Sequence, residues 1–365
     1  MSIRKWKAAV VQAEPCWFNL EAAVKKTCDL MREAKAGGAS LIAFSEVWIP
    51  GYPNFLWNGN YRENLSLVQS YIKNSMTATG PEMLEIRKLA AHLGLFVALG
   101  FSERDNGSLY LGQVLISSEG NILMHRRKTK PTHVERTIFG DSTGDSLNSV
   151  VDTPLGKIGM LNCWEHIQPL LKYYQYAQGE QVHIAAWPFN PPHSGGPEPY
   201  NVCSEANEVT ASRMYSIEGQ VFTLVTNQPL SPAGIKANSS GHNSAAGSFM
   251  TSEGWGGASG VFGPDGRKIT PDAAPDFDGI IYCDIDLDDI YYAKAIADPV
   301  GHYSRPDLLR ILVDDRPKNY VVKCGATNGE FEADKPLLAI HKSIDELHSS
   351  SSSNSDAPSW DALSS

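Results

Sequence analysis

Apolar and polar positions along this chain switch repeatedly between two periods. Short continuous apolar runs, the mark of buried strands, occur at Ala8 to Val11, Leu41 to Phe44, Ile158 to Leu161 and Val182 to Trp187. Leu95 to Phe101, Leu109 to Ser117, Ile122 to Met124, Val221 to Val225 and Gly279 to Ile285 read as further strands. Helical spacing separates them. Asn19 stands where it caps a helix whose apolar positions are Leu20, Ala23, Val24, Leu30 and Met31, with Gly37-Gly38 after it. Pro81 opens a second helix through Met83, Ile86, Leu89, Ala90 and Leu93, and Gly94 ends it. Ser204 caps a third, through Val209, Met214 and Ile217, closed by Gly219. Glu119-Gly120 and Pro264-Asp265-Gly266 are hairpin signals. Hairpins mixed with crossovers predict a layered α/β domain with a mixed sheet, or two sheets. A faint internal echo, Gly38 to Glu46 against Gly179 to Trp187, points to two similar halves.

Other stretches break the pattern. Pro191 to Pro199 is rich in Pro and Gly, and Leu230 to Gly257 in Ser, Gly and Asn. Long loops of this kind in a compact enzyme form or cover a site. From about Ser343 the chain turns to serine and lacks the apolar content to fold alone. The expected division is a globular domain over residues 1–317 and an extension over 318–365.

Composition narrows the function class. With 365 residues, 42% of them hydrophobic, the chain can bury a sizeable core. A net charge of -10 argues against nucleic-acid or anionic-membrane partners. The six cysteines are scattered, with no metal-ligand spacing and no disulfide framework, which favours a reducing compartment. The first apolar run is too short for a signal peptide, and no run approaches the roughly 18 apolar residues of a membrane span. A cytoplasmic location is the expectation.

Three segments carry candidate chemistry. Cys163 ends the apolar run Ile158 to Leu161, and a helix-like segment follows it. A thiol there sits at a strand end, where α/β sheets place their sites, and a helix N-terminus lowers a thiol pKa. The plain alternative is a small apolar residue at a core edge. Glu46 follows the run Leu41 to Phe44, beside Trp48, Pro50, Tyr52 and Pro53. Apolar surroundings raise a carboxyl pKa and make it a base near neutrality, although a surface glutamate also ends many strands. Lys128 and Lys130 lie in a basic run, His125 to Arg136, that also reads as a solvated turn. A catalytic lysine there needs a carboxylate, and Glu135 is the candidate; spacing does not choose between the two lysines. His166 lies three residues past the cysteine, where a helix carries it roughly 300° around. Packing or hydrogen bonding is therefore its stronger reading over general base. His183 reads as a satisfied core histidine. No phosphate loop or dinucleotide fingerprint is present.

Together the segments Ala43 to Pro53, Arg127 to Thr132 with Glu135, and Leu161 to His166 resemble the nitrilase branch of the carbon–nitrogen hydrolase superfamily. The resemblance runs from about Trp6 to Asp315, and Gly301 to Asp307 looks like the family's C-terminal signature. It implies a four-layer αββα sandwich. It also implies a catalytic set in which Cys163 is the nucleophile, Glu46 the general base, Lys128 (three before Pro131) the acid and oxyanion stabiliser, and Glu135 its support. The Trp164 N–H then completes the anion site, and Tyr52, Trp164, Trp187 and His166 are the residues expected against the substrate. Trp48, Phe55, Trp57 and Phe189 are further aromatics that can line an apolar pocket or belong to the core. No metal and no organic cofactor is implied. Homo-oligomers, often helical filaments, are.

The segment Cys163 to Lys172 is most similar to fungal arylacetonitrilases. The expected reaction is therefore hydrolysis of an organic nitrile to the acid and ammonia, with some amide, through a thioimidate and a thioester on Cys163. Fungal cyanide hydratases share much of the pattern but typically carry Asn where His166 stands. A catalytically silent assembly protein is the alternative from another class, and the intact set of Glu46, Lys128 and Cys163 argues against it.

Overall fold

The computed structural model describes residues 3–239, 254–319 and 321. The chain divides into two units, Met1–Arg316 and Pro317–Ser365. Everything below concerns the first. The serine-rich tail and residues 240–253 of the loop from Leu230 to Gly257 lie outside the described residues.

Eleven described strands form two sheets. In chain order they are β1 (Lys5–Gln12), β2 (Leu41–Ala43), β3 (Phe96–Asp105), β4 (Ser108–Ile116), β5 (Ile122–Arg127), β6 (Val150–Thr153), β7 (Gly156–Asn162), β8 (Val182–Ala186), β9 (Phe222–Thr226), β10 (Gly260–Phe262) and β11 (Gly279–Asp286). One sheet runs β11-β1-β2-β3-β4-β5 and the other β10-β9-β8-β7-β6. Each contains three parallel strands, β1-β2-β3 and β7-β8-β9, flanked by antiparallel neighbours. The faint sequence echo therefore falls on β2 and β8, the middle strand of each parallel set.

The described helices are α1 (Leu20–Ala36), α2 (Tyr61–Asn74), α3 (Pro81–Leu93), α4 (Pro169–Ala177), α5 (Ser212–Gly219), α6 (Pro232–Ala237) and α7 (Asp289–Lys294). Strand periodicity explains how the layers stack. Along β1, Trp6, Ala8 and Val10 face a layer shared with Ile158, Met160, Val182, Ile184 and Leu224 of the second sheet. Ala9 and Val11 face the other way, against Val24, Met31, Met83 and Ile86 of α1 and α3. Beyond the second sheet, Leu161 meets Tyr176 of α4 and Tyr215 of α5. The order is helix, sheet, sheet, helix, a four-layer αββα sandwich. Each aliphatic side chain withdrawn from water contributes about 1.5–3 kcal/mol, so the intersheet layer and the layer under α1 and α3 both stabilise the fold substantially.

Local signals hold where the chain is regular. Asn19 accepts from the Ala22 N–H at the start of α1. Pro81 opens α3, and Gly94 closes it in the left-handed conformation, φ 59°. Three expectations change. Ser204 caps nothing: its backbone is already helical, and Glu205–Ala211 winds as a π-helix before α5 begins. Gln220, not a glycine, takes the left-handed end, φ 55°. The basic run after Met124 is not a turn, because β5 continues through Arg127.

Candidate active site

The site forms at the carboxyl ends of β2, β5 and β7. Glu46 lies three residues past β2, in a turn that hugs β3. A Cβ on Gly100 of β3 would lie 2.3 Å from the Ser45 carbonyl and 2.9 Å from the Val47 nitrogen, so only glycine lets the turn approach this closely. From the second sheet, Gln228 just beyond β9 donates to the Glu46 carbonyl and accepts from the Tyr52 N–H at 3.1 Å. Lys128 follows β5 directly. The period of two places it on the same buried face as Arg126. Cys163 begins a 3-10 turn, Cys163–Ile167, after β7. Its own φ is 48°, a left-handed conformation uncommon for a residue with a Cβ.

Four side chains from these places converge. The Lys128 ammonium donates to Glu46 Oε1 at 3.0 Å and to Glu135 Oε2 at 2.8 Å. Glu135 Oε2 also accepts from the Thr132 N–H at 2.6 Å, and its Oε1 from the Tyr52 hydroxyl at 3.0 Å. One donor atom each of Glu46, Glu135 and Cys163 lies within 4.8 Å of the others. Glu46 Oε2 is buried without a protein partner. All four residues are buried; Cys163, at 5% exposed, shows its face to a cavity.

Burial sets the electrostatics. It pushes the Glu46 carboxyl up to about 8; Lys128 opposes the rise and Glu135 adds to it. Burial works against the Lys128 ammonium too, but Glu135 and Glu46 outweigh it and hold the amine charged. The Cys163 thiol is pushed well up by burial, with Lys128 and the Trp164 N–H as the groups that favour thiolate. The expected lowering by a helix N-terminus is not found: a five-residue 3-10 turn, not an α-helix, follows the cysteine. At rest the Cys163 side chain is a thiol, beside the Glu46 carboxyl, one of whose oxygens has no protein partner.

A buried ion pair ties the turn that carries Cys163 to strand β5. Arg126, 1% exposed, grips Glu165 through two bonds of 2.9 and 2.7 Å. Glu165 also accepts from the N–H groups of Asn162 and Thr129. Burial alone would raise the Glu165 carboxyl, but Arg126 brings it down to about 2.

The cavity over Cys163 has a volume of about 350 Å³, within the range that encloses small organic ligands. Its walls include Tyr52, Trp57, Trp164, Phe189, Pro199 and Val202, and His133 stacks flat on Trp57 with centroids 5.2 Å apart. Of the residues expected against a substrate, Tyr52 and Trp164 line it. Trp187 and His166 do not. Trp187 is fully buried behind Cys163, donates to Ser212 Oγ and stacks on His166. His166 turns inward to the Cys163 carbonyl and to His183. Trp48 and Phe55 belong to the core, whereas Trp57 and Phe189 face the cavity. Asn190 and Glu198 are polar lining that sequence reasoning missed; no spacing pattern marks them. The Arg126–Glu165 pair was missed as well, although Glu165 stands three residues after Asn162, at capping-box spacing.

Among the described residues, two clusters bring three possible metal donors together. In the first, Glu46, Glu135 and Cys163, the Lys128 ammonium already supplies the cation. In the second, His193, Glu198 and Cys203, both imidazole nitrogens are engaged, with the Gly195 N–H and the Glu198 carbonyl.

Fold and site together define an α/β enzyme with a buried thiol, amine and carboxylate set. The carbon-nitrogen hydrolase family model matches residues 7–295, and the chain belongs to that family. It is similar to an arylacetonitrilase of Aspergillus kawachii (strain NBRC 4308), 49% identical over 88% of this chain and 95% of the relative. It is also similar to a cyanide hydratase of Aspergillus niger, 44% identical over 90% of this chain and 92% of the relative. Among solved structures, the C. elegans NitFhit protein matches with a TM-score of 0.63 at 18% identity, covering 88% of this chain and 70% of that one. A carbon-nitrogen hydrolase from Helicobacter pylori G27 matches with a TM-score of 0.62 at 20% identity, over 83% of this chain and 96% of that one. These structural matches speak to the fold.

Proposed function

We propose that this enzyme hydrolyses an arylacetonitrile to the carboxylic acid and ammonia, releasing some amide, with Cys163 as nucleophile. One observation carries the reading: Cys163 and Glu135 line an apolar cavity walled by Trp57, Trp164 and Phe189, and Lys128 bridges Glu135 to the Glu46 carboxyl that lies beside the thiol. The similarity to arylacetonitrilases supports the same substrate class.

In this reading Glu46 takes the thiol proton as Sγ bonds to the nitrile carbon. One electron pair of the C–N triple bond moves to nitrogen, which Lys128 protonates, and a thioimidate results. Glu46 passes the thiol proton to Lys128, 3.0 Å away, which recharges the amine and frees the carboxylate; water then adds to the thioimidate carbon, giving a proton to Glu46. Expulsion of ammonia leaves a thioester; a second water hydrolyses it to the acid and restores the thiol. Expulsion of the thiolate instead releases the amide. Glu135 holds Lys128 in place and charged, and the Trp164 N–H stabilises charge at the reacting centre. A reducing, cytoplasmic setting fits the free thiols Cys16, Cys28, Cys163, Cys203 and Cys283. Assembly into homo-oligomers fits the exposed Leu170, Tyr292, Ile296, Leu309 and Leu312; light scattering tests it.

The test is ammonia release with product analysis from phenylacetonitrile and from cyanide, for wild type and Cys163→Ala. Phenylacetic acid formed by wild type alone is the expected result. Formamide from cyanide, with phenylacetonitrile untouched, moves the protein to cyanide hydration. No turnover of either, with Cys163 inert to iodoacetamide in folded protein, would leave the fold in a silent role.

A further inference from the structure

A line of buried groups that the reaction does not consume runs behind the nucleophile. His166 Nδ1 lies 2.6 Å from the Cys163 carbonyl oxygen, and its Nε2 lies 2.9 Å from Nε2 of His183. His183 Nδ1 lies 2.7 Å from Glu180 Oε1, and the Tyr215 hydroxyl donates to Glu180 Oε2 at 2.6 Å. His166, His183, Glu180 and Tyr215 are all buried. Tyr215 stacks on His183 with centroids 3.7 Å apart, and Trp187 on His166 at 4.9 Å, so neither imidazole is free to turn.

The chemistry of the end group orients the whole line. A carbonyl oxygen only accepts, so His166 Nδ1 bears the proton there. Nε2 of that neutral ring is then an acceptor, and His183 must donate to it from Nε2. His183 Nδ1, in a neutral ring, accepts in turn, which leaves the carboxyl proton on Glu180 Oε1. Burial agrees: it pushes the Glu180 carboxyl up to about 8 and both imidazoles well down. Every bond beyond Glu180 therefore points toward Cys163.

We propose that this string positions the anion site: by donating to the Cys163 carbonyl, His166 fixes and polarises the Cys163–Trp164 peptide, whose N–H is the donor the proposed function assigns to that site. The carbonyl and that N–H are the two ends of one amide, so a bond accepted at one end strengthens donation at the other. The same bond holds Cys163 in its left-handed backbone conformation, φ 48°. His166 is thus a positioning residue that never touches the substrate, and Glu180, some way behind it, sets the direction of the string as a neutral acid. The inference rests on Cys163 being the nucleophile.

The experiment compares full-length wild type, His166→Phe, Glu180→Leu and Glu180→Gln. Active sites are titrated with iodoacetamide, and kcat and KM are measured on phenylacetonitrile. Phe keeps the stack on Trp187 but donates nothing to the carbonyl. Gln reproduces the protonated carboxyl: its amide N–H donates to His183 and its carbonyl accepts from Tyr215. His166→Phe and Glu180→Leu are expected to lose about tenfold to a hundredfold in kcat per titrated site, with KM unchanged. That is less than the ~10²–10³ for deleting an oxyanion donor outright. Glu180→Gln is expected to keep wild-type kcat. Wild-type kcat in His166→Phe, or an equal loss in Glu180→Gln and Glu180→Leu, overturns the proposal. A purely structural role lowers the melting temperature or the titratable fraction and leaves kcat per site intact, which also overturns it. If wild type turns over no nitrile, the functional reading falls, and the rate of Cys163 alkylation decides the string separately. Slow alkylation in His166→Phe and Glu180→Leu beside normal alkylation in Glu180→Gln upholds it; equal rates in all four proteins overturn it.

Discussion

Lys128 is one positive charge between two buried carboxylates, 3.0 Å from Glu46 and 2.8 Å from Glu135. That imbalance decides how the residues titrate. The Glu46 carboxyl, buried with one oxygen unpartnered and with Glu135 close by, is the one pushed up. With Glu46 pushed up to about 8, the base form gains population as pH rises. The expected outcome is a kcat/KM that climbs about tenfold per pH unit on the acid side and levels off above pH 8, read from a pH–rate profile. Removing the charge of Glu135 relieves the repulsion that helps raise Glu46. Glu135→Gln should therefore shift the climbing limb to lower pH, even as the less firmly held Lys128 lowers the plateau. A limb that stays in place would assign it to another group. Lys128→Met should abolish turnover, a loss of about 10³-fold or more in kcat, because among the described residues no other cation lies against the two carboxylates to stabilise a nitrogen anion.

At the scale of elements, strand β5 and the turn after β7 act as one clamp. Arg126 on β5 and Lys128 just past its end alternate with His125 and Arg127, so one buried face carries the pair Arg126–Glu165 and Lys128 together. Arg126→Met leaves the Glu165 charge buried without its partner. It should destabilise the fold by roughly 3–5 kcal/mol in denaturant unfolding, and a double variant that also neutralises Glu165 should recover part of the loss. Gly100→Ala acts from the other side: its Cβ meets backbone of the Glu46 turn, which cannot swing away as a side chain would. Overpacking there should cost about 1–3 kcal/mol and lower kcat more than it raises KM. These elements also show what the chain discloses before folding. The parallel strands were legible because continuous apolar runs end at Phe44 and Leu161, just before Glu46 and Cys163. The direction of β5 was not, since a basic run reads as solvated turn until a buried carboxylate from 39 residues away pairs with it. Helix α2 went unread although Asn60 and Glu63 form a capping box, because its buried face is reduced to Asn64 and Tyr71. The string from His166 to Tyr215 joins three segments whose only local hint is the spacing of Glu180 and His183. Trp187 illustrates the converse: strand alternation after β8 turns it into the core, while its neighbours Pro188 and Phe189 reach the cavity.

At the scale of the molecule, four buried carboxyls fall into two classes with opposite pH signatures. Glu165 and Glu103 are held at about 2 against an ordinary value of 4.5, by Arg126 and by His125 with Arg127, despite the burial that opposes them. A lowered folded-state pKa contributes stability that is complete above 4.5 and is lost as pH falls toward 2. Glu46 and Glu180 are pushed up to about 8 by burial. The native state then binds protons that the unfolded chain has released. Their contribution is complete below 4.5 and is lost as pH rises through 8. The two slopes meet on the acid side of neutrality, so the melting temperature should peak near pH 5 and decline steadily to pH 8.5. The net charge of -10 adds to the decline, since self-repulsion grows as the remaining acidic groups ionise. Activity, which in the proposed mechanism needs Glu46 ionised, should rise across the same interval. Glu180→Gln separates the two trends. A permanently neutral side chain removes one of the declining contributions, so the variant's melting temperature should fall less between pH 5 and 8.5 than that of wild type. A slope equal to wild type would mean that Glu180 is ionised in the native protein and that His183 carries the charge. Calorimetric scans at four or five pH values across this window are enough to decide.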